Sequence, residues 1–386
     1  MKPATTLIHS EKAASDDVAP LTTPIYETTT FVFETAEQVR DYNEGRSGKY
    51  LYSRYANPTV TAVEERVAAL EGADAALIFS SGQAATTNAL FTLAASGDEV
   101  VCSAAIYGGT LHLLADLLSK FGIVARFVTM DELRRPETII SPKTKLVWFE
   151  SPINPTLRCV DVAAVAAACR ARGVVSVIDN TFASPVNQQP LALGVDIVMH
   201  SATKYLNGHS DVTAGVLAGS SAHVDALLKT RKMFGTVLDP YAAYALGRGL
   251  KTLAVRMDRH NSSAMAIAKW VESSGRVKTV YYPGLPSHPD HAIASKQMTG
   301  FGGMVCLDLG GGYDRAARFF DRLKVFRRAA SLGGVESLCS LPVLTSQWGH
   351  SDEELAKAGI TKSMARLSVG LEDPEDLIAD LDQALG

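Results

Sequence analysis

Beyond Pro58 the apolar positions of the chain switch repeatedly between two spacings. Over 60–70, 83–95, 111–121 and 162–172 they recur every three or four residues, the period of a helix with one buried face. Between these stretches stand short apolar runs at 75–79, 99–103, 124–128, 146–150, 174–179 and 196–200. A run that is apolar on both pleat faces predicts a strand covered on both sides. Such strands alternating with helices predict an α/β fold around a mostly parallel sheet. Positions 240–274 read as one long helical segment. After it, Tyr281-Tyr282-Pro283-Gly284-Leu285-Pro286 and Gly310-Gly311-Gly312 punctuate a strand at 304–309 and helices near 313–323 and 374–385, which predicts a smaller α+β domain. The first 60 residues, rich in Thr, Tyr, Pro and Phe, hold no sustained helical period and predict an extended arm that packs on another surface. The expected division is an arm over 1–60, a large domain over 61–245 and a small C-terminal domain over 246–386.

Composition narrows the possibilities. With 386 residues, 47% hydrophobic and 20% charged, the chain can bury full cores without disulfide or metal staples. Lys+Arg 37 against Asp+Glu 41 leaves a net charge of -4 with no basic run, so nucleic acid is not an expected partner. No stretch approaches the length of apolar chain that spans a bilayer, and Glu11, Asp16 and Asp17 interrupt the start before any apolar run of signal length. Cys102, Cys159, Cys169, Cys306 and Cys339 are scattered and form no C-x-x-C pair, which suits free thiols and a cytoplasmic location. Small molecules and other protein chains are the expected partners, with no membrane.

Polar residues close several of the strand runs, where open α/β sheets gather ligands. Ser201-Ala202-Thr203-Lys204 follows the run at 196–200. Lys204 reads either as a surface lysine after a turn or as a Schiff-base lysine whose neighbouring hydroxyls bind an anionic group. Asp179 reads as a helix cap or as a carboxylate that keeps a pyridine nitrogen protonated, making the ring an electron sink for a carbanion. Ser80-Ser81-Gly82-Gln83 reads as a plain glycine turn or as an anion site built from amides at a helix N-terminus. Elsewhere, His288-Pro289-Asp290-His291 reads as a surface loop rather than a metal site. Gly247-Arg248-Gly249 lacks the preceding strand of a dinucleotide fingerprint, and Trp148, Trp270 and Trp348 read as core or pocket-wall residues.

Several motifs together carry a resemblance. Ser201-Ala202-Thr203-Lys204-Tyr205 with Asn207-Gly208-His209-Ser210-Asp211, Asp179-Asn180-Thr181-Phe182, Tyr52-Ser53-Arg54 leading to Asn57-Pro58-Thr59, Tyr107-Gly108-Gly109-Thr110, and the run from Arg366 to Asp373 stand in the order found in the Cys/Met-metabolism family of pyridoxal-phosphate (PLP) enzymes, which the chain resembles from about residue 20 to its end. The resemblance implies the PLP-dependent transferase fold type I and PLP as cofactor, with Lys204 carrying it and moving protons. Asp179 is then the pyridine-nitrogen partner and Tyr107 the aromatic that stacks on the ring. Ser201, Thr203 and the amides of Gly82 and Gln83 would form the phosphate cradle. Tyr52 and Arg54 would reach the phosphate of an adjacent subunit, in a homotetramer made of two catalytic dimers, and Tyr52 is also an acid/base candidate beside the leaving group. Arg366 would clamp the substrate carboxylate, a bidentate pairing that lysine does not copy, with Asn154 and Ser331 lining cofactor and substrate.

Departures within the family bear on the substrate. Cystathionine γ-lyases resemble this chain but carry charged residues where it has Leu51, His112 and Ala330, so the handles for a distal zwitterionic head are mostly missing. Methionine γ-lyases carry small or apolar residues there, and a cysteine where this chain has Gly109. O-acylhomoserine sulfhydrylases usually carry an acidic residue where it has Gly334. The expectation is a lyase that performs α,γ-elimination on a γ-substituted amino acid of the homoserine or methionine type. γ-Replacement, as in cystathionine γ-synthase or a sulfhydrylase, a non-sulfur leaving group such as that of canavanine, and cystathionine γ- or β-cleavage remain alternatives. Glu27 reads as a solvated arm residue or an anchor for a cationic substrate.

Overall fold

The computed structural model describes residues 2–9 and 20–386; positions 10–19 of the expected arm lie outside the described residues. Seven strands form the larger sheet: β1 (Ala75–Phe79), β2 (Glu99–Ser103), β3 (Val124–Val128), β4 (Thr144–Glu150), β5 (Val175–Asp179), β6 (Ile197–His200) and β7 (Gly215–Gly219). Their order is β1-β7-β6-β5-β4-β2-β3, parallel from β6 to β3, with β7 inserted antiparallel between β1 and β6. Nearly every side chain of β4 and β6 is buried, as helices on both faces demand. A second sheet of five strands, mainly antiparallel, is built from β8 (Thr279–Tyr281), β9 (Met304–Asp308), β10 (Arg327–Arg328), β11 (Leu338–Ser340) and β12 (Met364–Ser368) in the order β10-β11-β12-β9-β8. The α/β class, the mostly parallel sheet and the second small sheet are as the apolar pattern predicts.

Local chemistry explains the element ends that bound the site. The helix Pro58–Glu71 starts at Asn57, whose side chain accepts from the Thr59 amide at 3.0 Å, and stops at Gly72 in the left-handed conformation. The helix Gly82–Leu93 follows β1 directly, with Ser81 accepting from the Ala84 amide at 3.0 Å.

Four expectations are corrected. The arm is not free of helix: Pro3–His9 and Ala36–Asn43 are helical, and Leu7 is buried in the same core as Val63 and Val67. The stretch 111–121 is not one α-helix but a short helix Gly108–His112, a π-turn over Leu113–Leu117 and a 3-10 turn over Leu118–Phe121. The segment 240–274 is two helices, Pro240–Leu250 and Leu253–Ser274. At the break, Arg256 reaches back to donate to Gly249 O at 2.8 Å and to Thr252 Oγ1 at 3.1 Å, supplying partners for a turn the helix does not complete. The His288–His291 stretch is not a surface loop: Asp290 is buried and accepts from Arg134 Nη2 at 2.6 Å, Arg158 Nε at 2.5 Å and the Cys159 amide at 3.0 Å. Of the tryptophans, Trp148 is fully buried while Trp348 is exposed. Among the described residues no helix is long and apolar enough to cross a membrane, and no cluster of metal-ligating side chains occurs.

Candidate active site

The C-terminal ends of β4, β5 and β6 converge on a cavity of about 600 Å³. Parallel strands place their last residues on one edge, so the acids ending β4 and β5 and the lysine after β6 meet there. Lys204 lines the cavity, with Nζ donating to Ser331 Oγ at 3.1 Å. Burial lowers the Lys204 pKa, and the nearby Arg366 guanidinium lowers it further. The segment after Lys204 is pinned: Arg256 Nη1 donates to Tyr205 O at 2.7 Å, and the Tyr205 hydroxyl accepts from the Gly303 amide at 3.0 Å.

Asp179 sits at the cavity floor. Burial raises its pKa, while hydrogen bonds from the hydroxyl and amide of Thr181 and the proximity of His200 oppose that shift. The Thr181 hydroxyl also accepts from the Ser201 amide at 2.8 Å, which ties the end of β5 to the turn that carries Lys204.

One wall is made for an anion. The first amides of the helix Gly82–Leu93 have no carbonyl before them to bond, and they open onto the hydroxyls of Ser201 and Thr203. A Cβ at Gly82 would stand 2.9 Å from both Cβ and Oγ of Ser201, so only glycine lets the helix start approach that hydroxyl.

Opposite, Arg366 of β12 is buried, donating from Nη1 to Asn154 Oδ1 at 2.8 Å and from Nη2 to Ser331 O at 3.4 Å. Among the described residues no carboxylate pairs with it, and burial lowers its pKa. Tyr107 stands at the mouth, its backbone amide donating to Glu150 Oε1 at 2.7 Å, and Gln83 Nε2 donates to Gly109 O at 3.0 Å nearby.

The cavity thus brings together Lys204, Asp179, Ser201, Thr203, Gly82, Gln83, Tyr107, Asn154, Ser331, Ala330 and Arg366. Four other candidates lie elsewhere in the same chain. Tyr52 and Arg54 line a separate cavity of about 380 Å³ with Glu27 and Asn57, and Arg54 Nη1 donates to Lys232 O at 2.6 Å. Leu51 precedes Tyr52 in the arm, its carbonyl accepting from Phe31 N at 3.1 Å. His112 is exposed and faces Asp116 at 3.1 Å. Sequence reasoning missed Glu150, although it closes its apolar run as Asp179 does; it gave no role to Thr181, which stands inside a quoted motif, and it missed Pro152, Leu332 and the strip Leu344 to Ser346.

An α/β sheet whose strand ends gather a partly buried lysine of lowered pKa, a buried aspartate and a helix N-terminus framed by hydroxyls defines an enzyme that holds a phosphorylated pyridine cofactor. The donor set and the glycine-lined cradle fit pyridoxal phosphate. Residues 4–386 match the family model described as Cys/Met metabolism PLP-dependent enzyme. The chain is 43% identical to L-methionine γ-lyase of Pseudomonas putida over 99% of its length and 96% of that protein, and 45% identical to cystathionine γ-lyase of Mus musculus over 88% and 86%. A crystal structure of cystathionine γ-lyase from Lactobacillus plantarum complexed with L-serine superposes with a TM-score of 0.93 at 39% identity, covering 100% of this chain and 98% of that one. The chain belongs to the Cys/Met metabolism PLP-dependent enzyme family.

Proposed function

We propose that this enzyme is a γ-lyase that acts on a γ-substituted amino acid of the homoserine or methionine type by α,γ-elimination, releasing 2-oxobutanoate and ammonia. One observation carries the reading: the ionisable acids and bases lining the cavity besides Tyr107 are Lys204, Arg366, Asp179 and Glu150, and Ala330, Leu332 and Leu344 form the wall beyond Ser331. One buried guanidinium serves one α-carboxylate, and among the described residues this chain lines its own cavity with no second charged pair for a distal zwitterionic head, whose burial there would leave its charges unpaired. The identity to a methionine γ-lyase supports the same reading.

When bound, PLP supplies an electron sink that stabilises negative charge at the substrate's Cα. Lys204 would carry it, Asp179 would stand opposite its ring nitrogen, Tyr107 would cover its face, and Ser201, Thr203 and the amides of Gly82 and Gln83 would hold its phosphate. Arg366 orients the substrate by its carboxylate. Lys204 Nζ would take the proton from Cα, hand it on, and so be free to take one from Cβ; burial lowers its pKa and favours the neutral amine that such a base needs. The γ-substituent then leaves with its electron pair.

We assign Tyr52 and Arg54 to the cavity of a neighbouring copy, where Arg54 supplies a cation to the phosphate and Tyr52 an acid/base. This requires at least a dimer and suits a homotetramer of two catalytic dimers; Leu51 and His112 would face the leaving group only in that assembly. We propose the same division into an arm over 1–60, a large domain over 61–245 and a small domain over 246–386, and the free buried cysteines suit the cytoplasm. The test is kcat/KM for 2-oxobutanoate release from methionine, homocysteine and cystathionine. The account predicts that cystathionine is the poorest of the three, and a preference for cystathionine would overturn it.

A further inference from the structure

Glu150 has no part in the roles above, yet it occupies the centre of the site. It ends β4 directly beside Asp179 in the register of the two parallel strands and lines the cavity while only 4% exposed. Its partners are two backbone amides from two different loops. Oε1 accepts from Tyr107 N at 2.7 Å, and the Asn154 amide faces the same carboxyl group, where it acts to lower the Glu150 pKa. Asn154 in turn holds Arg366 through its side chain at 2.8 Å. One carboxyl therefore joins the loop that presents Tyr107 and the loop that presents the carrier of Arg366. We infer that Glu150 is a positioning residue: its carboxyl braces both loops against the sheet edge and thereby sets the ring face of Tyr107 and the aim of Arg366.

The chemistry of the position fits a brace rather than a charge. Among the described residues no cation pairs with Glu150, and two carboxylates side by side in a buried site do not both ionise readily. Burial raises its pKa well above the ordinary range and the neighbouring Asp179 raises it further, with the Tyr107 and Asn154 amides opposing. That shift favours the protonated form of Glu150, whose carbonyl still accepts hydrogen bonds. Removing it strands two buried amides, which costs more than a hydrogen bond gains.

This inference rests on the roles proposed for Tyr107 and Arg366, and the experiment separates the two. Glu150→Ala, Glu150→Asp, Glu150→Gln and Arg366→Ala are compared with the parent holoenzyme for KM and kcat with methionine, and their apo forms for PLP dissociation by fluorescence titration. Glu150→Ala and Glu150→Asp are expected to raise both KM and the PLP dissociation constant about tenfold, the scale of one stranded buried amide, with a smaller change in kcat. Glu150→Gln, which keeps the neutral acceptor, is expected to restore both to within about threefold. Unchanged KM and PLP affinity in Glu150→Ala and Glu150→Asp would overturn the inference, as would a Glu150→Gln enzyme as impaired as Glu150→Ala. If Arg366→Ala leaves KM unchanged, the carboxylate site is misassigned, and the brace is then judged by PLP affinity alone.

Discussion

Replacing Arg366 is the perturbation whose size follows most directly from the structure. Its guanidinium spends one donor on Asn154 Oδ1 and a second, longer one on the Ser331 carbonyl, and among the described residues no carboxylate neutralises it. The remaining donors are free for a bidentate pair with the substrate carboxylate. Hydrogen bonds to charged groups contribute about 1.5–3 kcal/mol each, so losing two of them in Arg366→Ala corresponds to about 3–4 kcal/mol, after allowance for water that refills the site. At about 1.4 kcal/mol per decade, kcat/KM should fall about 10²- to 10³-fold. The loss should sit mainly in KM, because the carboxylate is held equally in ground and transition states. Arg366→Lys keeps the charge but not the fork and should remain about tenfold impaired. Thermal unfolding of the apo forms should show little loss, since the substitution also removes a buried unpaired cation. Steady-state assays with several amino-acid substrates decide the matter. An Arg366→Ala enzyme with unchanged kcat/KM, or one impaired in kcat alone, would refute the assignment.

Other outcomes follow from the same geometry. Lys204→Ala should abolish turnover while leaving the fold intact by circular dichroism, and measurable 2-oxobutanoate release from that variant would remove Lys204 from the chemistry. A Cβ at Gly109 would lie 2.5 Å from Tyr107 Cε1 and 2.9 Å from Gln83 Oε1, so Gly109→Cys must displace the tyrosine. Its PLP dissociation constant should rise about three- to tenfold, as a misplaced packing group of this size implies, and unchanged affinity would show that the ring rests elsewhere. Asp290 is raised by burial, but the Arg158 hydrogen bond, the Cys159 amide and the charges of Arg158 and Arg134 hold its pKa below the usual carboxylate range. A depressed native pKa contributes stability above the unfolded value that is lost as pH falls through the native one. Asp290→Asn should therefore lower Tm near pH 7, and its deficit should shrink towards pH 3; a deficit independent of pH would contradict the ion-pair reading.

The fold was legible where burial on both faces left long apolar runs. β1, β2 and β3 begin and end where the apolar runs do, and β4 to β6 differ by one or two residues. β7 escaped because Gly-Val-Leu-Ala-Gly is short and bounded by glycines that read as turns. Those glycines are contact residues: a Cβ at Gly215 would stand 2.1 Å from Ser81 O and one at Gly219 2.7 Å from Asp196 O. The break in 240–274 is set by Arg256 reaching backbone carbonyls, a tertiary contact that leaves no periodic trace. At the site, Asp179 and Lys204 are visible because one closes a strand, the other follows one, and both belong to motifs. Glu150 closes a strand equally plainly, but its partners are amides of residues 107 and 154, which only the folded chain brings to it.

The most direct test of elimination as the reaction is the fate of the γ-carbon. PLP-loaded enzyme is given methionine, homocysteine, cystathionine, O-acetyl- and O-succinylhomoserine and canavanine, each with and without added thiol, and 2-oxobutanoate, ammonia and any new thioether are quantified. The account predicts rapid 2-oxobutanoate and ammonia release from a substrate of the methionine type without thiol. Slow release from every substrate, with efficient capture of the γ-carbon by thiol, would instead identify a γ-replacement enzyme and contradict it.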